Sequence, residues 1–329
     1  MMVITDQPSY IVTPSNDTQL MHYLNIYQLL SILKTSKCVF SPVSLYEDPA
    51  EATLSVPSYN EVCKHLLWQD PTPVLKDEYY DKHKLKMSFA SELLYSYTPN
   101  LHVDTFEYLM SSFVRHFMLT HCWSAASTEN ILMWDRYRHQ NATLAIKTTI
   151  SAMKNAFYTS NGLLYIGKIE YKDYNTEHIN GFDKFSNENL SDPVIIEELF
   201  YQPVLHKQKL YKAENEVRII MSYRYITYQI WGRPMLNDIP FYNKELGVII
   251  DPYSQKEALS PDGHLVVRTP NNSYELQRRK QVSVDPKLLI DNIILSPYTE
   301  SYALPIIRDA VEQYGIDPNK VVESSIKLR

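Results

Sequence analysis

The beginning of the chain shows two hydrophobic periods in close succession. QLMHYLN, which starts at residue 19, is a short apolar-rich stretch that predicts a strand. The apolar residues of IYQLLSILKTS then recur at the i, i+3, i+4 and i+7 spacing of an amphipathic helix, and Asn25 precedes it as a suitable N-cap. KCVFSP predicts a second strand that stops at Pro42. The chain therefore opens with a strand, a helix and a strand.

The same patterns recur along the rest of the chain. MLTHCWSA, ATLAIKTT and LLYIGKIEYK predict strands, and ENILMWDRYRHQ predicts a helix with Ser127 or Thr128 as its N-cap. VIIEELFYQPVLHKQK is helical up to about Pro203. LGVIID, HLVVRT, NIILSP and KVVESSIKLR predict later strands, and the helix ALPIIRDAVEQYG ends at Gly315. Strands outnumber helices, which predicts an α+β fold with a mixed, strand-rich central core.

The domain organisation follows from length and from the polar stretches. A chain of 329 residues suits one large domain or two small ones, and we interpret residues 1–329 as a single domain. Residues 1–17 are polar with two prolines and predict a loosely ordered N-terminal arm. Residues 60–118 mix long polar and aromatic helical patterns and predict a helical insertion within the domain.

Composition excludes several classes of protein. The net charge of −6 argues against a general nucleic-acid coat, and no stretch reaches the roughly 18 consecutive apolar residues of a membrane span. Only 7 glycines occur and none forms a GxGxxG or a GxxxxGK[ST] pattern, so a Rossmann or P-loop phosphate site is not expected. The scattered Cys38, Cys63 and Cys122 fit neither a disulfide framework nor a zinc site, which favours a cytoplasmic protein. MMVITDQPSY does not have the pattern of a secretory signal.

The stretch YKAENEVRIIMSY carries the candidate chemistry. As a strand it places Glu214, Glu216 and Arg218 on one face and apolar residues on the other. One interpretation is a paired-carboxylate site in which Arg218 holds Glu216 ionised. The alternative is a solvated charge ladder on an exposed edge strand. The preceding HKQKLYK, with Lys207, could meet a phosphate or could be a wet basic loop.

Two further groups of residues are candidates. His22, Asp48 and Glu51 could bind a metal ion together with Glu216, although their spacing matches no metal signature, and we expect no metal site. Met133, Trp134 and Tyr137 lie on one side of a predicted helix. Such an aromatic stripe is either core or the wall of a pocket.

In order along the chain, these segments resemble the domain-of-unknown-function 2971 family. The resemblance rests on the segments HYLNIYQLLSILKTSKCVFSPVSLYEDPAEA, CWSAASTENILMWDRYRHQNATLAIKT, KIEYKD, YKAENEVRIIM and VVESSIKLR, and covers about residues 20–329 apart from a stretch near 60–115. Glu47 stands where the family usually has an Asn, and Tyr211 where it often has a Trp. The family label implies no particular chemistry.

The order of candidate residues is also similar, more distantly, to that of ADP-ribosyltransferase-like enzymes. That resemblance implies a split sheet and a transfer of ADP-ribose from NAD, as substrate, to a protein or nucleic-acid acceptor, in a bacterial or phage conflict system. It implies Glu216 and Glu214 as catalytic residues. It implies contacts to NAD from the following residues: His22, Tyr23, Ser124, Trp134, Tyr137 and Arg218.

Two other functions remain open on the residues alone. The first is a non-catalytic module that binds or senses a nucleotide, for which nucleotide-dependent stabilisation without turnover is expected. The second is a metal-dependent nuclease or hydrolase built on the carboxylates and His22.

Overall fold

The structure, a computed structural model, is α+β, as the sequence predicts, and has a mixed central sheet. It describes residues 8–46, 48, 50–66, 114–138, 143–157, 164–186, 198–221, 241–243, 248–250, 266–269, 272–275 and 279–327. Most of the predicted insertion at 60–118 and the first seven residues of the predicted arm lie outside the described residues.

The described helices are short and most follow the predicted segments. They are α1 Ile26–Thr35, α2 Val56–Leu66, α3 Val114–Phe117, α4 Ile131–Arg138, α5 Ile150–Ala156, α6 198–201, α7 Pro286–Leu289 and α8 Ala303–Glu312. The described ends of the predicted insertion, α2 and α3, are helical.

The described strands are numbered in chain order. They are β1 Gln19–Leu24, β2 Lys37–Pro42, β3 Leu119–Ala125, β4 Leu144–Thr149, β5 Leu164–Lys168, β6 Glu170–Lys172, β7 His206–Gln208, β8 Glu216–Met221, β9 Phe241–Asn243, β10 Val248–Ile250, β11 Val266–Thr269, β12 Asn272–Glu275, β13 Lys280–Ser283, β14 Asn292–Leu295 and β15 Val321–Val322.

The central sheet forks at β3. The described path runs β13-β2-β3-β1-β4-β14-β15, and β8 pairs with β3 along its length and with β5 on the other side. The remaining edge of β3 is shared, because β2 pairs with it at Leu119 and Thr120 whereas β1 pairs with it at Ser124 and Ala125. Between those two pairings none of the described strands lies beside the edge of β3, so β1 and β2 diverge and leave a gap between them.

Apolar residues pack on both faces of this sheet. A large cluster surrounds Leu29, Phe40, Ile146 and Phe157, which are buried under α1 and α5. A smaller cluster on β1, α4 and β14 includes Trp134 and contacts the end of the chain. The sheet is therefore covered on both sides, as buried strands rich in Val, Ile and Leu require.

Local signals correctly predict the start of the first helix and misplace the start of the fourth. Asn25 accepts a hydrogen bond from the Gln28 amide at 2.9 Å and closes a reciprocal capping box, which confirms the prediction. The α4 helix begins later than predicted, and the side chain of Asn130 accepts from the Leu132 amide at 2.9 Å. The predicted caps, Ser127 and Thr128, are exposed instead.

Three predicted segments differ from what the structure shows. The described part of the arm, 8–17, contacts the sheet, because Lys168 donates from its amide to Val12 at 2.8 Å and Ile11 is buried. The predicted strand LLYIGKIEYK is two strands, β5 and β6, separated by Ile169. The last predicted strand is only β15, after which the chain turns away. In each case contacts distant in sequence override the local pattern.

Candidate functional site

A cavity of about 510 Å³ lies in the fork of the sheet. Its walls come from β1, β2 and β3, and its buried floor carries four acidic residues. Those acids are Asp48, Glu51, Glu214 and Glu216. The gap between β1 and β2 thus exposes the middle of the sheet to a ligand, at a point where strands normally shield one another.

Glu214 and Glu216 reach the floor from two different elements. Glu214 ends a 3₁₀ helix, Lys209–Glu214, and Asn215 then adopts a left-handed conformation with φ 42° before β8 begins at Glu216. The predicted single strand through both acids is therefore wrong. Ser124 donates from Oγ to the Glu214 carbonyl at 2.7 Å and holds this turn against β3.

The edge-strand interpretation of this segment is also wrong. All six residues of β8 are buried, and the strand lies between β3 and β5. Its charged residues are buried within the sheet and cannot form a solvated ladder. Burial of that kind requires each charge to have a partner.

Two cations neutralise the acids of the floor. Arg218, fully buried, donates from Nε to Glu216 Oε1 at 2.6 Å and from Nη2 to Glu51 Oε1 at 2.6 Å. Lys207 donates from Nζ to Glu214 at 2.7 Å and to Glu216 Oε2 at 3.1 Å. The wet-loop interpretation of HKQKLYK is therefore wrong for Lys207, although it holds for Lys209, whose side chain is 63% exposed.

The two carboxylates of the ExE pair differ in their electrostatics. Burial opposes ionisation of Glu216, but the Arg218 guanidinium and the Lys207 ammonium outweigh it, and the pKa of this carboxyl falls below its usual range. Burial raises the pKa of Glu214 against the opposing effect of Lys207. Two neighbouring acids with pKa values moved in opposite directions form an arrangement typical of acid–base sites.

His22 closes the gap in the edge of β3. Its Nδ1 lies 2.9 Å from the Cys122 carbonyl, in the part of β3 that neither β1 nor β2 covers. A carbonyl only accepts, so Nδ1 carries the proton and Nε2 is left with an acceptor lone pair. Burial lowers the pKa of His22 to about 4, so the ring is neutral at pH 7.

The opposite wall of the cavity is aromatic. The rings of Tyr23 and Tyr137 stack with their centroids 5.2 Å apart and their planes 4° from parallel. Trp134 lies behind them, edge-on to Tyr23 at 4.8 Å, and is fully buried. The wall residues that face the cavity are therefore the two tyrosines, together with Met133.

Glu129 ties this wall to the end of the chain. Its carboxylate accepts from Trp134 Nε1 at 3.1 Å, from Ser324 Oγ at 2.6 Å and from the amide and hydroxyl of Ser325 at 2.7 and 2.8 Å. Residues that follow β15 therefore donate hydrogen bonds to the same carboxylate, that of Glu129, to which Trp134 donates. This explains why the chain leaves the sheet after Val322.

Replacing Glu129 with glutamine should lower the free energy of unfolding by about 1–3 kcal/mol, because it weakens hydrogen bonds to a charged acceptor. Ser324→Ala and the double variant complete a double-mutant cycle. The double variant should lose less free energy of unfolding than the sum of the losses in the two single variants, because both single changes remove the same interaction. Urea unfolding monitored by tryptophan fluorescence measures both quantities. Glu323→Gln, at an exposed site, is the control. Fully additive losses would show that Glu129 and Ser324 do not interact, and would contradict the link between this wall and the end of the chain.

His121 should make stability depend on pH. It is buried against Phe40 at 5.5 Å and His22 at 4.5 Å, and its Nε2 has no hydrogen-bond partner in the described structure. Burial lowers its pKa well below the ordinary 6.5, and the nearby His22 adds to the effect. Above pH 6.5 the ring is neutral in the folded and the unfolded protein, and His121 does not make stability depend on pH. Below pH 6.5 the unfolded chain binds a proton that the folded protein does not, so the free energy of unfolding falls as pH falls.

His121→Phe should abolish this loss. We expect the variant to differ little from the wild type at pH 8 and to be more stable than the wild type by about 2 kcal/mol at pH 5. The reason is that phenylalanine binds no proton in the unfolded chain, so low pH no longer favours unfolding at this position. Thermal or urea unfolding across pH 4–8 tests this expectation. An identical pH profile for the two proteins would show that His121 does not titrate on unfolding.

The structure brings most of the sequence-predicted site residues to one cavity. Its lining includes the following predicted residues: His22, Tyr23, Ser124, Tyr137, Glu214 and Glu216. Trp134 and Arg218 do not line it, because both are fully buried behind the residues that do, so the predicted direct contacts of these two to a ligand are corrected to supporting roles.

Sequence reasoning missed the importance of two residues. Lys207 was assigned only to a phosphate contact or a wet loop, although a floor with three paired acids needs a second cation besides Arg218. Glu129 carried no local signal, because its partners lie 195 and 196 residues further along the chain.

The metal-binding alternative gains no geometric support from the described residues. No group of three or more His, Cys, Asp or Glu side chains within them could hold a metal ion. Glu51 and Glu216 bind Arg218 instead, and a metal ion would have to displace that guanidinium.

Comparisons place no known protein beside this chain. No family model, no curated protein and no solved structure matches it. Among the described helices, none is long and apolar enough to cross a membrane. The resemblances drawn from the sequence therefore remain predictions, and function must be argued from the cavity itself.

Proposed function

We propose that the protein cleaves the nicotinamide–ribose bond of NAD and transfers ADP-ribose to an acceptor. The single observation that carries this proposal is that Glu216, Glu214 and His22 line one cavity beside the stacked Tyr23 and Tyr137. A cavity with an ionised acid, an aromatic wall and a neutral histidine suits a ribose that bears a flat ring.

Glu216 would supply the electrostatic part of catalysis. When the nicotinamide–ribose bond breaks, its electron pair leaves with the ring nitrogen and positive charge develops on the sugar. The four acids of the floor face three cations, Lys207, Arg218 and Arg136, so the floor has one more negative than positive charge. A fixed excess of negative charge stabilises the developing cation without reorganisation.

Glu214 and His22 would complete the reaction. The raised pKa of Glu214 makes it the better proton acceptor of the pair, so it takes the proton of the acceptor hydroxyl or amine as that group bonds to the sugar. His22 Nε2 accepts a hydrogen bond from a ribose hydroxyl, since Nδ1 is held by Cys122. Tyr137 stacks on the nicotinamide ring.

The test is incubation of the purified protein with NAD labelled in its adenylate part. We expect nicotinamide release above the spontaneous rate and label on the protein itself, on added RNA or DNA, or in free ADP-ribose if water is the acceptor. Absence of nicotinamide release would reject the proposed transfer. An unfolding temperature that NAD does not change would in addition show that the protein does not bind NAD.

One observation favours a second candidate, a module that binds a nucleotide without turnover. Both oxygens of Glu216 already accept from Arg218 and Lys207, so this acid is more fully paired than a catalytic acid needs to be. That candidate predicts stabilisation by NAD or ADP-ribose with no release of nicotinamide.

A further inference from the structure

The charges that line the cavity separate by depth. Every acid in the lining is buried, whereas the exposed charged residues in the lining are all cations. Those cations are Lys37, Arg136 and Arg279, and they surround the mouth. The cavity therefore has an acidic floor and a basic mouth.

Two of the cations at the mouth are available to a ligand. Lys37 shares the cavity face of β2 with Val39 and Ser41, while Cys38 and Phe40 between them are buried in the core. Arg279 immediately precedes β13, which pairs antiparallel with β2 so that Lys280 lies opposite Phe40. Arg279 therefore comes beside Ser41, and Lys37 lies on the same strand about 13 Å away, so the two long side chains can meet over Val39. Neither makes an ion pair or a side-chain hydrogen bond within the described part of the chain, in contrast to Arg136, which lies 2.9 Å from Glu214.

Some polar atoms of the residues that line the cavity are buried and have no hydrogen-bond partner among the described residues. They include Asp48 Oδ2, Glu51 Oε2, His121 Nε2 and Trp123 Nε1. Two of these atoms belong to carboxylates, and the floor holds four carboxylates in all, so it matches hydroxyl, amide or cationic groups and repels an anion. A ligand with one anionic end can satisfy this cavity in only one direction.

We propose that Lys37 and Arg279 form a phosphate subsite at the mouth of the cavity. This inference rests on the proposed function and adds the direction of the substrate. The nicotinamide–ribose half enters the acidic floor, and the pyrophosphate stays at the mouth, over the cavity face of β2 and between the side chains of Lys37 and Arg279. Two unpaired cations on paired strands can engage neighbouring phosphate oxygens with charge-assisted hydrogen bonds.

The test compares the binding of three probes to the full chain by calorimetry: ADP-ribose, inorganic pyrophosphate and nicotinamide riboside, which carries no phosphate. In the double variant Lys37→Gln/Arg279→Gln we expect affinity for ADP-ribose and pyrophosphate to fall by about tenfold or more, with riboside binding unchanged. The wild type should also bind ADP-ribose more weakly as salt rises, since the mouth is exposed.

A matched double variant, Lys34→Gln/Arg138→Gln, removes the same charges at exposed sites outside the lining and should bind all three probes like the wild type. Equal losses for riboside and ADP-ribose, or no loss for either, would overturn the phosphate subsite while the proposed function stands. Wild-type protein that binds none of the three probes would overturn both.

Discussion

Replacing Arg218 with methionine should lower the free energy of unfolding by about 3–5 kcal/mol, the largest loss in stability that we expect from a single substitution here. Arg218 donates to Glu216 and to Glu51 at 2.6 Å each and to the Val204 carbonyl at 2.7 Å, and it is fully buried. Methionine fills similar volume but leaves two buried carboxylates with one fewer cation between them. Urea unfolding at pH 7 measures the loss.

Two companion variants separate lost charge from lost packing. Arg138→Met removes an exposed arginine that lies 4.6 Å from the Tyr298 ring centroid, and it should cost little. Adding Glu51→Gln to Arg218→Met should recover part of the stability, because it removes one of the orphaned charges. The stability that Glu51→Gln costs is therefore measured twice, in the wild type and in Arg218→Met. If that cost is the same in both proteins, Arg218 and Glu51 are not coupled and the ion-pair account is wrong.

Replacing Glu216 with glutamine should slow nicotinamide release by about 10²–10⁴-fold, because a neutral amide cannot stabilise the positive charge that develops on the ribose. The variant should also lose stability, since Arg218 and Lys207 both bind this carboxylate. Rates are therefore compared per folded molecule, with the folded fraction taken from thermal unfolding in the same buffer.

Binding distinguishes a catalytic from a purely structural role for Glu216. We expect Glu216→Gln to bind ADP-ribose with nearly native affinity while turnover is lost, because the acid acts on charge that exists only in the transition state. Glu323→Gln, which removes an exposed acid 4.0 Å from Lys327, should change neither quantity. Native turnover in Glu216→Gln would remove Glu216 from the mechanism, whereas parallel losses of binding and turnover would indicate damage to the cavity.

Elements of strong local pattern are predictable from this sequence. The helix Ile26–Thr35 has a clear apolar stripe and a complete capping box within four residues, so no distant contact is needed to define it. The strands Leu119–Ala125 and Leu144–Thr149 are short apolar runs bounded by polar residues and were predicted in place. His22, Ser124 and Glu216 each lie in such an element, although Ser124 became a candidate only through the resemblance to ADP-ribosyltransferase-like enzymes.

The environment of the acids is not predictable from local pattern. The three residues Glu214, Asn215 and Glu216 fit a continuous strand. The turn at the left-handed Asn215 is instead held by residues about 90 positions earlier, because Ser124 Oγ donates to the Glu214 carbonyl and the Ala125 amide donates to the Asn215 carbonyl. Lys207 lies in a segment whose composition is typical of a surface loop, and only the position of β8 brings Glu216 beside it. An isolated pattern cannot distinguish a solvated lysine from a buried one, because the difference lies in the charges that other segments bring near.

The sequence by itself therefore determined the α+β class and the bounds of the first helix and several central strands, because periodicity and capping act over a few residues. It also singled out some of the residues that line the cavity, including Glu214 and Glu216. The tertiary structure alone decided that β1 and β2 diverge along β3, that Trp134 and Arg218 lie behind the cavity, and that its floor is acidic and its mouth basic. Those features depend on strand pairings and ion pairs between segments that are far apart in the chain.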